Sequence, residues 1–151
     1  AVDAVELVRE VGALVAPEAA RRQVAVSVDA GAAALPLEAD RDLLKQALLN
    51  VVVNGMEAMK NGGRLRLEVK RAGGECVIGV SDEGAGIPPE IREKIFNLYF
   101  TTKGKGSGIG LAMTFRVVQL HNGTIDFQSE PGNGTTFWLR LPAAAAGAVE
   151  S

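Results

Sequence analysis

One segment restricts the possible folds of this chain more than any other: residues 40–60 have the pattern of a helix that is apolar almost all the way round. Such a helix has to be buried among other elements. Asp40 is suited to cap its start, and Asn61-Gly62-Gly63 to end it. At about 100° per residue, however, four polar side chains share a stripe of about 80° on this helix. They are Gln46, Asn50, Asn54 and Glu57.

The amides of Asn50 and Asn54 lie one helical turn apart and project to the same side. A buried amide is costly unless it is hydrogen-bonded or bound to a ligand. An Asn carbonyl oxygen is a suitable ligand for a hard cation such as Mg²⁺, which also keeps waters and phosphate oxygens. Taken alone, the stripe favours a structural role, in which the amides fix a neighbouring loop.

The remaining pattern predicts a two-layer α/β sandwich, with a mixed, mostly antiparallel sheet covered on one face by helices. We expect one domain over residues 1–142 and a disordered, Ala-rich tail over residues 143–151. A loop is expected between the first strand and Asp40, and Pro17 is a candidate break in the first helix. The other predicted helices span 3–22, 90–98 and 109–121, and the strands 24–28, 64–70, 75–81, 124–128 and 135–141.

Two glycine-rich segments suggest a ligand-binding site. Residues 104–110 open directly into a helix, where free N–H groups and the positive end of the helix dipole bind anions. An ordinary loop is the alternative, since no P-loop or dinucleotide fingerprint is present. Asp82 ends a predicted strand and is followed by Gly84 and Gly86. Its carboxylate suits the exocyclic amine of a flat base such as adenine, with simple turn chemistry as the alternative.

Charge and cysteine content limit the class of protein. The formal net charge of −2 argues against the dense basic surface that nucleic-acid binding requires. No run approaches the roughly 18 apolar residues of a membrane span. Cys76 is the only cysteine and lies in an apolar run, which predicts a buried thiol and a reducing compartment. We therefore expect a cytoplasmic, monomeric domain; a longer protein that contains it could still carry a membrane anchor.

Together these segments resemble the ATP-binding catalytic domain of sensor histidine kinases, in the gyrase, Hsp90, histidine kinase and MutL superfamily. Residues 48–59 resemble the asparagine box, and the continuation Ala58-Met59-x-x-Gly62-Gly63 is similar to the nitrogen-regulation branch. The other similar segments are the first glycine box at 82–87, the phenylalanine box at 95–103, the second glycine box at 106–112 and the last at 132–137.

The resemblance implies a Bergerat-type fold, ATP as ligand and Mg²⁺ as cofactor. It implies that Asn54 ligates Mg²⁺, that Asn50 and Lys103 also act in catalysis, and that Asp82 binds the adenine amine. Residues 99–107 would form a mobile lid. The full set of implied nucleotide-binding residues is Asn50, Asn54, Asp82, Gly84, Gly86, Ile87, Lys103, Gly106, Ser107, Gly108, Ile109, Gly110, Leu111 and Thr135.

The resemblance also favours a kinase. Hydrolytic relatives use a Glu at the position of Asn50, and an amide cannot act as that base. His121, the only histidine, ends a predicted helix, where a capping role is expected. The phosphoacceptor histidine would therefore lie on a separate helical dimerisation domain, with a response regulator downstream, and this chain alone would not autophosphorylate. The alternatives are a nucleotide-sensing module without catalysis, or an ATPase of the gyrase, Hsp90 and MutL type.

Two residues depart from the family pattern. Gly55 replaces the more usual Ala after the second Asn, which weakens the helix by up to about 1 kcal/mol. Glu57 lies where many members have a basic or amide residue near phosphate. Its charge is expected to weaken ATP binding unless Mg²⁺ or a neighbouring cation offsets it.

Overall fold

A computed structural model describes residues 2–30, 34–59, 61–84, 109–129 and 132–143. In chain order the elements are β1 (Val2–Asp3), α1 (Ala4–Arg21), β2 (Val24–Ala30), β3 (Pro36–Leu37), α2 (Arg41–Ala58), β4 (Gly63–Ala72), β5 (Glu75–Asp82), α3 (Ile109–Leu120), β6 (Thr124–Ser129) and β7 (Thr135–Pro142). No helix in these ranges is both long and apolar enough to cross a lipid bilayer.

Five strands form one twisted layer in the order β2-β4-β5-β7-β6. Only β2 and β4 are parallel, and the other neighbouring pairs are antiparallel. Alternate residues of the strands point into a core shared with the helices, which confirms the predicted two-layer sandwich. Its largest fully buried side chains include Leu7, Leu44, Leu48, Met56, Leu65, Leu67, Ile78, Phe137 and Leu139.

The starts of the helices follow the expected capping chemistry. Asp40 caps α2, and its Oδ1 accepts a hydrogen bond from the N–H of Leu43 at 3.1 Å.

The break considered at Pro17 does not occur, because α1 continues through that residue. Pro17 and Ala13, whose carbonyl loses its helical partner, are both exposed, so water can satisfy the carbonyl.

Helix α2 is less completely buried than its composition predicts. One side packs on the sheet, but Leu43 is 39% and Val53 37% exposed. The expectation of burial all the way round is therefore wrong for this face within the described chain. Periodicity identifies apolar faces, and it does not say which of them are covered.

A second, two-stranded sheet pairs β1 with β3, where the sequence predicted only a loop before Asp40. Strands of two residues carry no periodic signal, so their pairing depends on tertiary contacts. Ala143, the first residue of the predicted tail, follows β7 and donates its N–H to Gly74 O at 2.9 Å. The predicted short helix at 90–98, the lid at 99–107 and tail residues 144–151 lie outside the described residues.

Candidate functional site

Asp82 ends β5 with its side chain against α2. The residue is 9% exposed, and its Oδ1 accepts a hydrogen bond from the N–H of Gly84 at 2.8 Å. A Cβ built on Gly55 would lie 3.5 Å from Asp82 Oδ2. Because Gly55 directly follows Asn54, the carboxylate and the amide stripe of α2 belong to the same region of the fold.

The backbone that carries Asp82 is held by close packing around the next two residues. A Cβ on Gly84 would lie 2.6 Å from Ala58 O, so only glycine fits here without a shift. The Glu83 carboxylate accepts the N–H of Arg64 at 2.9 Å, and the Glu83 N–H donates to the Sδ of Met59 at 3.3 Å. These contacts fix the turn after β5 to α2 and to the start of β4.

Thr135 lies opposite Asp82 in the register of β5 and β7, and Ser129 lies opposite Thr135 in the register of β7 and β6. Both hydroxyl residues are buried, and their oxygens lie 2.9 Å apart. The sequence analysis predicted nucleotide-binding roles for Asp82 and Thr135, which stay predictions, and did not single out their neighbour Ser129. Its signal was a polar residue at the inward position that follows Ile125 and Phe127 in an alternating strand.

Asn50 and Asn54 lie one turn apart on α2, and both are half-buried. The Oδ1 of Asn50 accepts a hydrogen bond from Gln46 Nε2 at 3.1 Å. This bond confirms that Gln46 and Asn50 share a face.

Helix α3 runs antiparallel to α2. The buried Thr114 Oγ1 donates to Ala47 O at 3.0 Å, and His121, just past the end of α3, contacts Asp40 at the start of α2. Continuing this alignment places Leu111 of α3 level with Asn50 of α2. The start of a helix favours an anion through its N–H groups and dipole, and the anion site predicted at the start of α3 stays a prediction.

His121 joins the two helices through both ring nitrogens. Its Nδ1 lies 2.7 Å from Val117 O, and its Nε2 accepts the N–H of Asp40 at 2.9 Å. Since a carbonyl only accepts, Nδ1 is the donor in the contact with Val117 O. The predicted structural role of His121 is confirmed, with an additional bond to α2 that the sequence did not predict.

The sequence profile of the family described as histidine kinase-, DNA gyrase B-, and HSP90-like ATPase matches residues 39–145. The chain belongs to this family. It is 42% identical over 108 residues to the signal transduction histidine-protein kinase AtoS of Escherichia coli K12, covering 71% of this chain and 18% of AtoS. It is 38% identical over 142 residues to the sensor histidine kinase ZraS of Klebsiella oxytoca, covering 93% of this chain and 31% of ZraS.

Solved structures place the fold in the same ATPase family. Full-length ShkA in complex with AMPPNP is similar with a TM-score of 0.86 and 29% identity, over 96% of this chain and 31% of that one. The nucleotide-free catalytic domain of histidine kinase ThkA is similar with a TM-score of 0.84 and 31% identity, over 93% of both chains. This chain therefore covers 93% of the ThkA catalytic-domain chain, but less than a third of AtoS or ZraS.

Several predicted site residues of this ATPase-family chain lie outside the described ranges; they are Gly86, Ile87, Lys103, Gly106, Ser107 and Gly108. Ile109 and Gly110 begin α3, and Leu111 in its first turn packs partly buried against the core. Glu57 is half-buried on α2. The nucleotide-binding roles assigned to all of these residues stay predictions.

Proposed function

We propose that this chain is the ATP-binding catalytic domain of a two-component sensor histidine kinase. In this role it holds Mg-ATP and presents the γ-phosphoryl group to a histidine on a separate dimerisation domain of the same protein. The phosphoryl group then passes from that histidine to a response regulator. Family membership and the sensor kinases AtoS and ZraS among the relatives support the proposal.

The amide at Asn50 is the observation that carries the choice of a kinase. Its oxygen is held by Gln46 on the polar face of α2, at the position where the hydrolytic relatives are expected to have Glu. An amide has no basic group at neutral pH that could take a proton from an attacking water. Without such a base, the protein contributes positioning and charge neutralisation, which suit transfer to an acceptor supplied by another domain.

The base end of the nucleotide site is formed by Asp82 with Thr135. An ionised carboxylate only accepts hydrogen bonds, and the 6-amino group of adenine donates them. Gly84 leaves no side chain between the turn after β5 and helix α2. The turn therefore packs directly on α2, which holds the Asp82 carboxylate in place for the adenine amine.

The phosphate end is formed by α2 and the start of α3. Mg²⁺ takes oxygen ligands and keeps several waters, so one protein amide together with phosphate oxygens suits it. The half-buried Asn54 offers such an oxygen on the same face of α2 as Asn50. Bound Mg²⁺ would neutralise charge on the phosphates, with Lys103 and the 106–111 turn as further phosphate contacts.

Calorimetric titration of this chain with ATP, with and without Mg²⁺, tests the proposal. We expect Mg-dependent binding, with the recovered nucleotide still ATP by chromatography. Asp82→Asn should weaken binding by about 1.5–3 kcal/mol, the range for a hydrogen bond to a charged group. Asp126→Asn is the matched control, because Asp126 is exposed on the opposite face of the same sheet.

A second experiment tests the kinase role itself. Alone, the chain should incorporate no label from γ-labelled ATP; adding the histidine-bearing domain should produce phosphohistidine. Substantial ADP formation without that domain would favour the ATPase alternative and direct attention to Glu57. ATP binding without transfer to any added acceptor would favour the nucleotide-sensing alternative.

A further inference from the structure

Thr114 places a hydroxyl on the buried face of α3, where that helix packs against α2. The residue is 0% exposed, and Val117 and Val118, one turn further along the same helix, are buried as well. Thr114 Oγ1 lies 3.0 Å from Ala47 O of α2. A carbonyl oxygen can only accept, so the hydroxyl is the donor and the direction of this bond is fixed.

This bond makes the contact between the two helices directional. Apolar burial is non-directional, so the packing of valines alone sets the position of one helix along another only loosely. A hydrogen bond weakens steeply when its distance or angle changes. A buried threonine that donates to one particular carbonyl therefore fixes how far α3 is shifted along α2, which a valine of similar shape would not do.

The acceptor of this bond lies next to the polar stripe of α2. Ala47 precedes Asn50 by three residues, about 4.5 Å along the helix axis. In an α-helix each carbonyl oxygen also accepts the N–H four residues later, so Ala47 O is the helical partner of the residue that follows Asn50. The other bond between the two helices, from the Asp40 N–H to His121 Nε2, lies ten residues before Asn50, about 15 Å away along the axis.

We infer that Thr114 is a positioning residue for the phosphate end of the nucleotide site: its bond to Ala47 holds Leu111, in the first turn of α3, level with Asn50 of α2. This inference rests on the proposed binding of Mg-ATP between these two helices. Without the bond, α3 samples other positions along α2, and only part of the population has the two helices aligned for binding. The apparent dissociation constant rises by the inverse of that fraction.

The test is the dissociation constant of Mg-ATP, measured calorimetrically for the wild type, Thr114→Val and Thr114→Ser. Valine has the shape of threonine without the hydroxyl and leaves Ala47 O its helical hydrogen bond, so we expect Thr114→Val to fold. Its Kd for Mg-ATP should rise about three- to tenfold, the scale of one neutral hydrogen bond. Thr114→Ser keeps the donor and should bind Mg-ATP like the wild type.

His121→Ala is the matched control that separates positioning from general loosening. It removes the other hydrogen bond between the same two helices, at the end far from Asn50. It should lower the midpoint of urea unfolding and leave the Kd of Mg-ATP unchanged. If Thr114→Val does not fold, Thr114→Ala removes the same hydroxyl without adding an apolar group, and its Kd should exceed that of Thr114→Ser.

A wild-type Kd in folded Thr114→Val would overturn this inference and leave the proposed function standing. An equal rise in Thr114→Ser would also overturn it, because the effect would then not depend on the hydroxyl. An equal rise in His121→Ala would do the same, since the effect would then not depend on where the helices are joined. A wild-type chain that does not bind Mg-ATP would overturn the proposed function and this inference together.

Discussion

Replacing Gly55 by alanine tests how closely α2 packs on the sheet beneath the proposed nucleotide site. The added Cβ would lie 3.0 Å from Leu65 Cδ1, and 3.5 Å from both Cβ and Oδ2 of Asp82. The contact with Asp82 is ordinary van der Waals contact, but the contact with Leu65 is tight. Leu65 is fully buried, so its side chain has no solvent into which it can turn.

Two effects of opposite sign then compete. Alanine is favoured over glycine inside a helix by about 1 kcal/mol. Overpacking a tight core site costs about 1–3 kcal/mol. Because Leu65 is enclosed by the core cluster, we expect packing to win and Gly55→Ala to lower the free energy of unfolding by about 1 kcal/mol.

Shortening Leu65 should reverse the sign. Leu65→Val alone removes one methylene and should cost about 1 kcal/mol. In that background the new methyl group has room, so Gly55→Ala should stabilise by about 1 kcal/mol, its helix propensity gain. Urea unfolding, followed by circular dichroism, is measured for the wild type, Gly55→Ala, Leu65→Val and the double variant. The four free energies of unfolding give the coupling between the two positions, provided that the m-values agree.

Equal effects of Gly55→Ala in both backgrounds would refute the packing argument, since Leu65 would then not be coupled to Gly55. A stabilisation of about 1 kcal/mol by Gly55→Ala in the otherwise wild-type chain would refute it as well. The Leu65 side chain would then move aside without an energetic cost. Either result would show that the glycine has no packing requirement at this position.

Three further predictions concern other parts of the chain. His121→Ala removes the bond that ties α3 to the start of α2 and should lower the free energy of unfolding by about 1–2 kcal/mol in urea; an unchanged midpoint would contradict this. Burial raises the pKa of the Cys76 thiol to about 12, so a thiol reagent at pH 8 should label the protein only as it unfolds, and rapid labelling of the native chain would contradict this. Hydrogen bonds from Lys45 and, to a smaller extent, from Arg41 lower the pKa of Glu10 from the ordinary value of a glutamate side chain. The stabilisation by ionised Glu10 is thus fully present above the ordinary carboxyl pKa and is lost as the pH falls through the lowered pKa of the folded protein. Glu10→Gln should therefore make the free energy of unfolding depend less on pH at the acid side.

The parts of the fold that the sequence predicted are those with local causes. The cap at Asp40, the amphipathic strands and the glycine-marked turns each depend on residues close together in the chain. The pairing of β1 with β3 and the exposure of Val53 depend on what distant segments cover. Local sequence patterns therefore predict neither the strand pairing nor the exposure.

The same division applies to the site. Asp82, Asn50 and Asn54 could be proposed as site residues because glycine boxes and helical spacing mark them, and their roles stay predictions. Ser129 was missed because its partner, Thr135, is set by the register of β6 on β7. The bond from Asp40 to His121 joins residues 81 positions apart, so the sequence indicated only a helix end.

Where the structure describes them, the glycines flanking the proposed base site mark close packing. A Cβ on Gly84 would lie 2.6 Å from Ala58 O, and one on Gly134, whose φ is +86°, would lie 2.2 Å from Asp82 O. Both glycines therefore let backbone approach backbone on either side of Asp82, which holds the carboxylate in place before any ligand arrives. This requirement leaves a glycine spacing that can be recognised in the sequence. The only sequence signal of Ser129 is its inward position in the alternating strand β6, and this signal is weaker because a serine at the end of a strand is compatible with many other surroundings.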